Sequence, residues 1–390
     1  MVAPELTPLE HAGFEDQLLE SLQPYWITSA EEFVSLANLP NTEHANGLAA
    51  LAAVLGIDEV RRDELLQRCR DKLPPGRSYD AMGELRVGTG LVIPEEEEEA
   101  GPLSYVTVSV PDEHMLSIGH LPEVAQQGDR NTCVAFATAA MYQVITGTSD
   151  DLSEQFLFWA CYQEDCKNTS TAGTTPSAAI AALQKYGICL EDTWHYVSHA
   201  DVGDITCGEP GPAARQEALS RRISGGGPPT KYVTNSLTVR AALHGGQPVL
   251  IGLPIYPFWK RGAQGPVVGR VRMPLPGEQS VAGHAVCAVG YRKDERAPGG
   301  GYVIFRNSWG DSYGAENATA PGYGHVPYAV LDGLPKIWAT VIDPPLGASL
   351  PPPQAASGGL VTEARAALGR AQAELGRLAE ILARIERGER

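Results

Sequence analysis

The chain has 390 residues, a hydrophobic fraction of 43%, and 42 Gly with 30 Pro. That length and composition predict two or three units and a loop-rich domain with an ample core, not a helical bundle throughout. Lys and Arg number 30 (23 Arg, 7 Lys) against 47 acidic residues, a net charge of −17, which is poorly suited to a phosphate backbone or an anionic bilayer. Neither nucleic acid nor membrane is therefore an expected partner.

No stretch approaches the ~20 apolar residues of a spanning helix. The first thirty residues carry five acidic residues and no Lys or Arg, which does not read as a secretory signal. Seven cysteines at 69, 133, 161, 166, 189, 207 and 287 form neither a dense disulfide framework nor a CxxC pair. The expectation is a cytoplasmic protein with mostly reduced thiols.

Residues 1–75 read as a small helical interaction module. Ser29 and Glu32 fit a capping box that opens a helix through Phe33, Leu36 and Ala37. Further helices fit Gly47–Leu55, stopped at Gly56, and Val60–Leu73, stopped by Pro74 and Pro75. Residues 76–103 contain a short extended run, Leu85–Ile93, and five consecutive glutamates, 95–99; such a charge run repels itself and reads as an acidic linker.

Residues 104–343 hold most of the apolar content. Helical patterns at Cys133–Ile145, Ser153–Tyr162 and Pro176–Tyr186 precede strand-like runs at Pro248–Leu253, Ala285–Tyr291, Tyr302–Asn307 and Ile337–Ile342. Helices first and strands later predict an α+β domain of two lobes with a cleft between them. Residues 344–359 are a Pro-rich linker. Residues 360–390 carry a heptad, with Val361, Leu368, Leu375 and Leu382 on one position and Ala364, Ala371, Leu378 and Ile385 on the other. This is the seam of an amphipathic, coiled-coil-type helix.

One cysteine stands out by position. Cys133 opens an apolar helix after a glycine-containing turn, where free amides and the positive end of the macrodipole favour thiolate. A nucleophile needs a base and an orienting group. His284 begins a strand, and Asn307 ends the next one, so an amide oxygen there can fix one ring nitrogen and leave the other for the thiol.

The runs Gln127-Gly128…Cys133, Leu152-Ser153-Glu154-Gln155, Gly283-His284-Ala285 and Asn307-Ser308-Trp309-Gly310 together resemble the papain-type cysteine peptidases. The motifs keep the family's chain order, and Cys133 and His284 stand 151 positions apart, close to the ~130–150 usual there between cysteine and histidine. The resemblance implies a papain-like two-lobed fold and an endopeptidase working through an acyl-enzyme. Cys133 and His284 would be the reacting pair and Asn307 the orienter, shielded by Trp309. Gln127 would share the oxyanion hole with the Cys133 amide. Gly173 and Thr174 would pair with substrate backbone, and Ala285 would line the pocket two residues before the scissile bond. No metal or organic cofactor is implied. The expected partners are a protein or peptide substrate and a regulator engaged through the N-terminal module or C-terminal helix.

Departures accompany the resemblance. Arg130 stands where the family carries a bridging cysteine, and Tyr313 replaces a tryptophan. Residues 1–102 match a family prosegment in length but lack its E-x-x-x-R-x-x-x-F-x-x-N pattern, so a secreted zymogen is a poor template. A bridge from Cys161 or Cys166 to Cys207 stays open. Acyl transfer or isopeptide cleavage would use the same residues, while an inert scaffold is opposed by the intact set of four.

Overall fold

The computed structural model describes residues 6–37, 47–74, 88–92, 109–164, 173–199, 206–223, 231–232, 235–260, 268–333 and 338–341. The heptad segment and the Pro-rich linker lie outside the described residues. Among the described residues, no helix is long and apolar enough to cross a membrane.

The N-terminal helices are α1 (Asp16–Leu22), α2 (Ala30–Ala37), α3 (Gly47–Leu55) and α4 (Glu59–Lys72). The expected capping box forms: the Glu32 amide donates to Ser29 Oγ at 3.2 Å, and Glu32 Oε2 accepts from the Ser29 amide at 3.2 Å. Both carboxylates of this turn are buried, Glu31 and Glu32, so each must be paired. Glu31 accepts from the Thr7 amide and hydroxyl. Glu32 instead reaches Arg270, 238 residues away, at 2.7 Å. The same guanidinium lies 4.4 Å above the Trp26 ring, and Trp26 packs on Tyr302 at 5.5 Å. The N-terminal helices are thus bolted to the body that carries the strands.

That body has a helical side and a sheet side. A short strand, β1 (Glu113–Met115), precedes α5 (Cys133–Thr146), α6 (Glu154–Glu164), α7 (Pro176–Lys185) and α8 (Pro212–Ala218). Thirteen successive residues of α5, Cys133 to Ile145, are buried, as expected of a helix that is apolar all round. Beyond β2 (Lys231–Tyr232) and α9 (Ser236–His244) come β3 (Val249–Ile255), β4 (Ala282–Lys293), β5 (Gly301–Arg306), β6 (Tyr323–Pro327), α10 (Tyr328–Gly333) and β7 (Trp338–Val341). They form a seven-stranded sheet in the order β2-β7-β3-β4-β5-β6, with β1 paired to β4. All the named pairings are antiparallel. The register shifts between Ala288 and Gly290, and a Cβ on Gly290 would meet Met115 Sδ at 2.7 Å; glycine lets β1 close on β4.

The dock between the N-terminal helices and the sheet contains a titratable group. His325 stacks on Tyr302 at 4.5 Å, and burial together with the charges of Arg270 and Arg292 pushes its imidazole down to about 3. The folded value lies below the ordinary one, so the unfolded chain binds more protons under pH 6.5. Stability is therefore expected to fall as pH drops from 6.5 towards 3. Thermal melts of the parent and of His325→Asn across that window should show a shallower decline in the variant.

Candidate active site

Three segments converge where α5 meets β4 and the end of β5. The turn before α5 is pinned across the cleft: the Gln127 amide donates to Ser308 O at 2.9 Å, and the Gly310 amide to Ala125 O at 3.0 Å. Arg306 secures the same edge by donating to the carbonyls of Pro122 (2.8 Å) and Glu123 (2.7 Å).

Cys133 is the first residue of α5, and its cap residue Thr132 makes no side-chain cap bond. The Ala285 amide donates to Cys133 Sγ at 3.3 Å, and the amides of Val134, Leu91 and Cys133 itself also favour the thiolate. Burial outweighs all four and pushes the thiol up to about 12. A helix start alone predicts thiolate; in this closed arrangement, with Cys133 fully buried, desolvation wins and the thiol keeps its proton.

His284 sits near the start of β4, opposite Leu253 of β3. Its Nε2 is 2.8 Å from Asn307 Oδ1. Asn307 Oδ1 also accepts from the Ser308 amide at 2.9 Å, which identifies that atom as the oxygen. Nε2 must then carry the proton, leaving Nδ1 for exchange with a reacting group. Trp309, fully buried, stacks on the imidazole at 4.5 Å, and Trp259 meets it edge-on at 6.3 Å. Both rings keep water from the His284–Asn307 contact.

Gln127 is held from both ends of its amide. Ser308 Oγ donates to Oε1 at 2.5 Å, and Nε2 donates to Arg130 O at 2.7 Å. The amide nitrogen has a second proton free for a ligand in the cleft. Gln127, Cys133, His284, Asn307 and Trp309 are thus gathered in one place, with Ala285 touching the thiol through its amide.

Gly173 and Thr174 lie on the opposite lip, and they are already engaged. Residues 88–92 run through the cleft as a strap. Leu91 pairs with Thr174 in a parallel bridge; Thr174 donates to Gly90 O at 3.0 Å and accepts from Val92 at 3.0 Å. On the other wall, the Gly90 and Leu91 amides both reach Gly283 O at 3.3 Å. Further along, Gly88 donates to Gly128 O at 2.8 Å and Thr89 to Asn131 Oδ1 at 3.0 Å. A Cβ on Gly173 would stand 2.3 Å from Gly90 O, so only glycine admits a backbone there. The strap presents the Leu91 amide to Sγ, while the preceding carbonyl, Gly90 O, points to Thr174.

Sequence reasoning placed residues 88–92 inside the acidic linker and missed the strap. It also missed Ser308 as the partner of Gln127, although Ser308 stands in the quoted Asn307–Gly310 run. The described cysteines Cys69, Cys133, Cys189, Cys207 and Cys287 are free thiols; with Cys207 free, the open bridge to it does not form, and Cys166 lies outside the described residues.

A helical lobe facing an antiparallel sheet, with a cysteine at a helix start opposite a histidine–asparagine pair, defines a two-lobed α+β cysteine hydrolase. The family model "Papain family cysteine protease" matches residues 113–323. The chain is 25% identical over 219 residues to a peptidase C1-like protein of Acanthamoeba polyphaga mimivirus, a match over 52% of this chain and 63% of that protein's length. Among solved structures, xylellain, a cysteine protease from Xylella fastidiosa, superimposes with a TM-score of 0.55 at 23% identity, covering 67% of this chain and 98% of that one. Procathepsin L 3 of Tenebrio molitor larval midgut aligns with a TM-score of 0.48 at 17% identity, over 66% and 77% of the two chains. The chain belongs to the papain family of cysteine proteases.

Proposed function

We propose that this protein is a thiol-dependent endopeptidase, held latent by its own 88–92 strap and directed to its targets through its terminal helical segments. The observation that carries the reading is a buried His284, fixed by Asn307 at 2.8 Å, beside an amide that touches Cys133 Sγ at 3.3 Å. With the strap displaced, Cys133 gives its proton to His284 Nδ1, and the thiolate attacks the substrate carbonyl carbon. Gln127 Nε2 and the Cys133 amide receive the oxyanion. The C–N bond breaks as the imidazolium protonates the leaving amine. Water, deprotonated by His284, then cleaves the thioester and restores the thiol.

Thr174 is assigned to substrate backbone because the strap uses its amide and carbonyl, Gly173 because it lets the strap backbone pass close by, and Ala285 to the neighbouring side-chain pocket. Arg130 at a bridging position and the free thiols of Cys189, Cys207 and Cys287 support work in a reducing, cytoplasmic compartment. The experiment is hydrolysis of a fluorogenic peptide library under reductant by the full-length chain carrying Leu91→Glu, which loosens the strap, beside the same chain with Cys133→Ala added. Cleavage abolished in the variant is the expected result; equal cleavage by both overturns the assignment.

A further inference from the structure

The seven-residue turn Gln127–Cys133 that carries both oxyanion donors is fastened by two side chains, Arg130 from within it and Tyr196 from outside. Arg130, buried at 4% exposure, sends Nη1 to Gln155 Oε1 and to Val197 O, each at 2.6 Å. Its guanidinium lies 4.9 Å from the Tyr196 ring centre and 5.3 Å from that of Phe158. Tyr196 closes the turn: its hydroxyl donates to Gln127 O at 2.8 Å and accepts from Thr132 Oγ1 at 2.7 Å. One phenol oxygen therefore ties the first residue of the turn to the residue just before the nucleophile. The middle of the turn is tied by Arg130, whose own carbonyl receives Gln127 Nε2.

Resting on the peptidase reading above, we propose that Arg130 and Tyr196 are positioning residues that hold the Gln127 side chain and the Cys133 amide in register as an oxyanion hole, doing by buried polar contacts what a covalent cross-link would do. A donor helps only if it already sits where the charge will develop. A loosened turn would misplace both donors while leaving the thiol and the imidazole where they are.

The test uses the full chain with and without Leu91→Glu, so that each variant is compared with its own parent. Arg130→Met strips a buried cation from the lobe and risks folding, so Tyr196→Phe, which deletes only the hydroxyl, is the decisive change. It is expected to lower kcat about tenfold, short of the ~10²–10³ lost with a donor outright, with KM within about twofold. Binding of a peptide aldehyde, whose adduct bears an oxyanion, should weaken in step with kcat. Alkylation of Cys133 by iodoacetamide, which forms no oxyanion, should keep its rate. Combined with Gln127→Ala, the two losses should fall well short of their product. Arg130→Lys, which keeps the charge but not the fork, should show the same pattern in milder form.

Unchanged kcat in Tyr196→Phe, losses that multiply with Gln127→Ala, or an alkylation rate that falls as far as kcat would overturn the proposal. A parent that cleaves no better than Cys133→Ala would instead count against the peptidase reading itself.

Discussion

Full-length protein carrying His284→Ala is expected to hydrolyse peptides about 10²–10⁴-fold more slowly than the parent, the usual contribution of a positioned acid–base group. In the proposed mechanism His284 serves twice, taking the thiol proton and then giving it to the leaving amine, so no other group within the site replaces it. Asn307→Ala should cost only about tenfold. It removes one hydrogen bond to a ring that becomes charged, worth about 1.5 kcal/mol, and tenfold is about 1.4 kcal/mol. The Trp309 stack at 4.5 Å continues to limit the ring's tilt after that loss. Gln127→Ala should lower kcat by about 3 kcal/mol in barrier with little change in KM, because its contact strengthens only as the oxyanion forms. Steady-state kinetics on one fluorogenic peptide separates the three; an Asn307→Ala loss equal to that of His284→Ala would contradict the orienting role.

Leu91→Glu is expected to raise turnover of small peptides by about thirtyfold or more. Leu91 is buried in the cleft, and removing one buried leucine side chain costs about 2 kcal/mol, which at 1.4 kcal/mol per factor of ten is roughly thirtyfold in strap opening. A carboxylate in that place adds a desolvation cost in the closed state. The pH dependence has a definite sign. Burial raises the Cys133 thiol from 9.0 to about 12 in the closed form, and solvent returning with the strap displaced lowers it again. The closed form therefore binds the thiol proton more tightly; its advantage is full below the open-form value and is lost as pH rises towards 12. Activity of the parent should climb with pH over that window, and the climb should flatten in Leu91→Glu. Mapped alkylation gives a second check. In the parent at neutral pH, Cys207, the only described cysteine that is not buried, should label ahead of Cys133; the order should reverse in Leu91→Glu. Equal turnover in parent and variant would show that the strap does not limit access.

The amino-acid sequence by itself determined the α+β class, the helices α5, α6 and α7, and the members of the proposed reacting set; α8, α9 and α10 were not read from it. Those features have local causes. A capping box at Ser29 and Glu32, a glycine stop after residue 55 and an unbroken apolar run behind Cys133 each declare themselves within a few residues. Cys133, His284 and Asn307 are legible because they sit at the ends of strongly patterned elements.

Only the tertiary structure decided what covers the nucleophile and what steadies it. Residues 88–92 have no periodicity of their own, and their hydrogen bonds go to Gly128, Asn131, Thr174 and Gly283; an extended strap with remote partners leaves no local pattern to read. The buried charges of Glu32 and Arg130 are equally opaque in one dimension. Glu32 is satisfied by Arg270 on the far side of the fold, and Arg130 by Gln155 and Val197. Whether Cys133 holds its proton was likewise settled in three dimensions: a helix start pulls the thiol down, and burial beneath Leu91 pushes it up further, because desolvation of a fully enclosed charge exceeds what a few amide dipoles return.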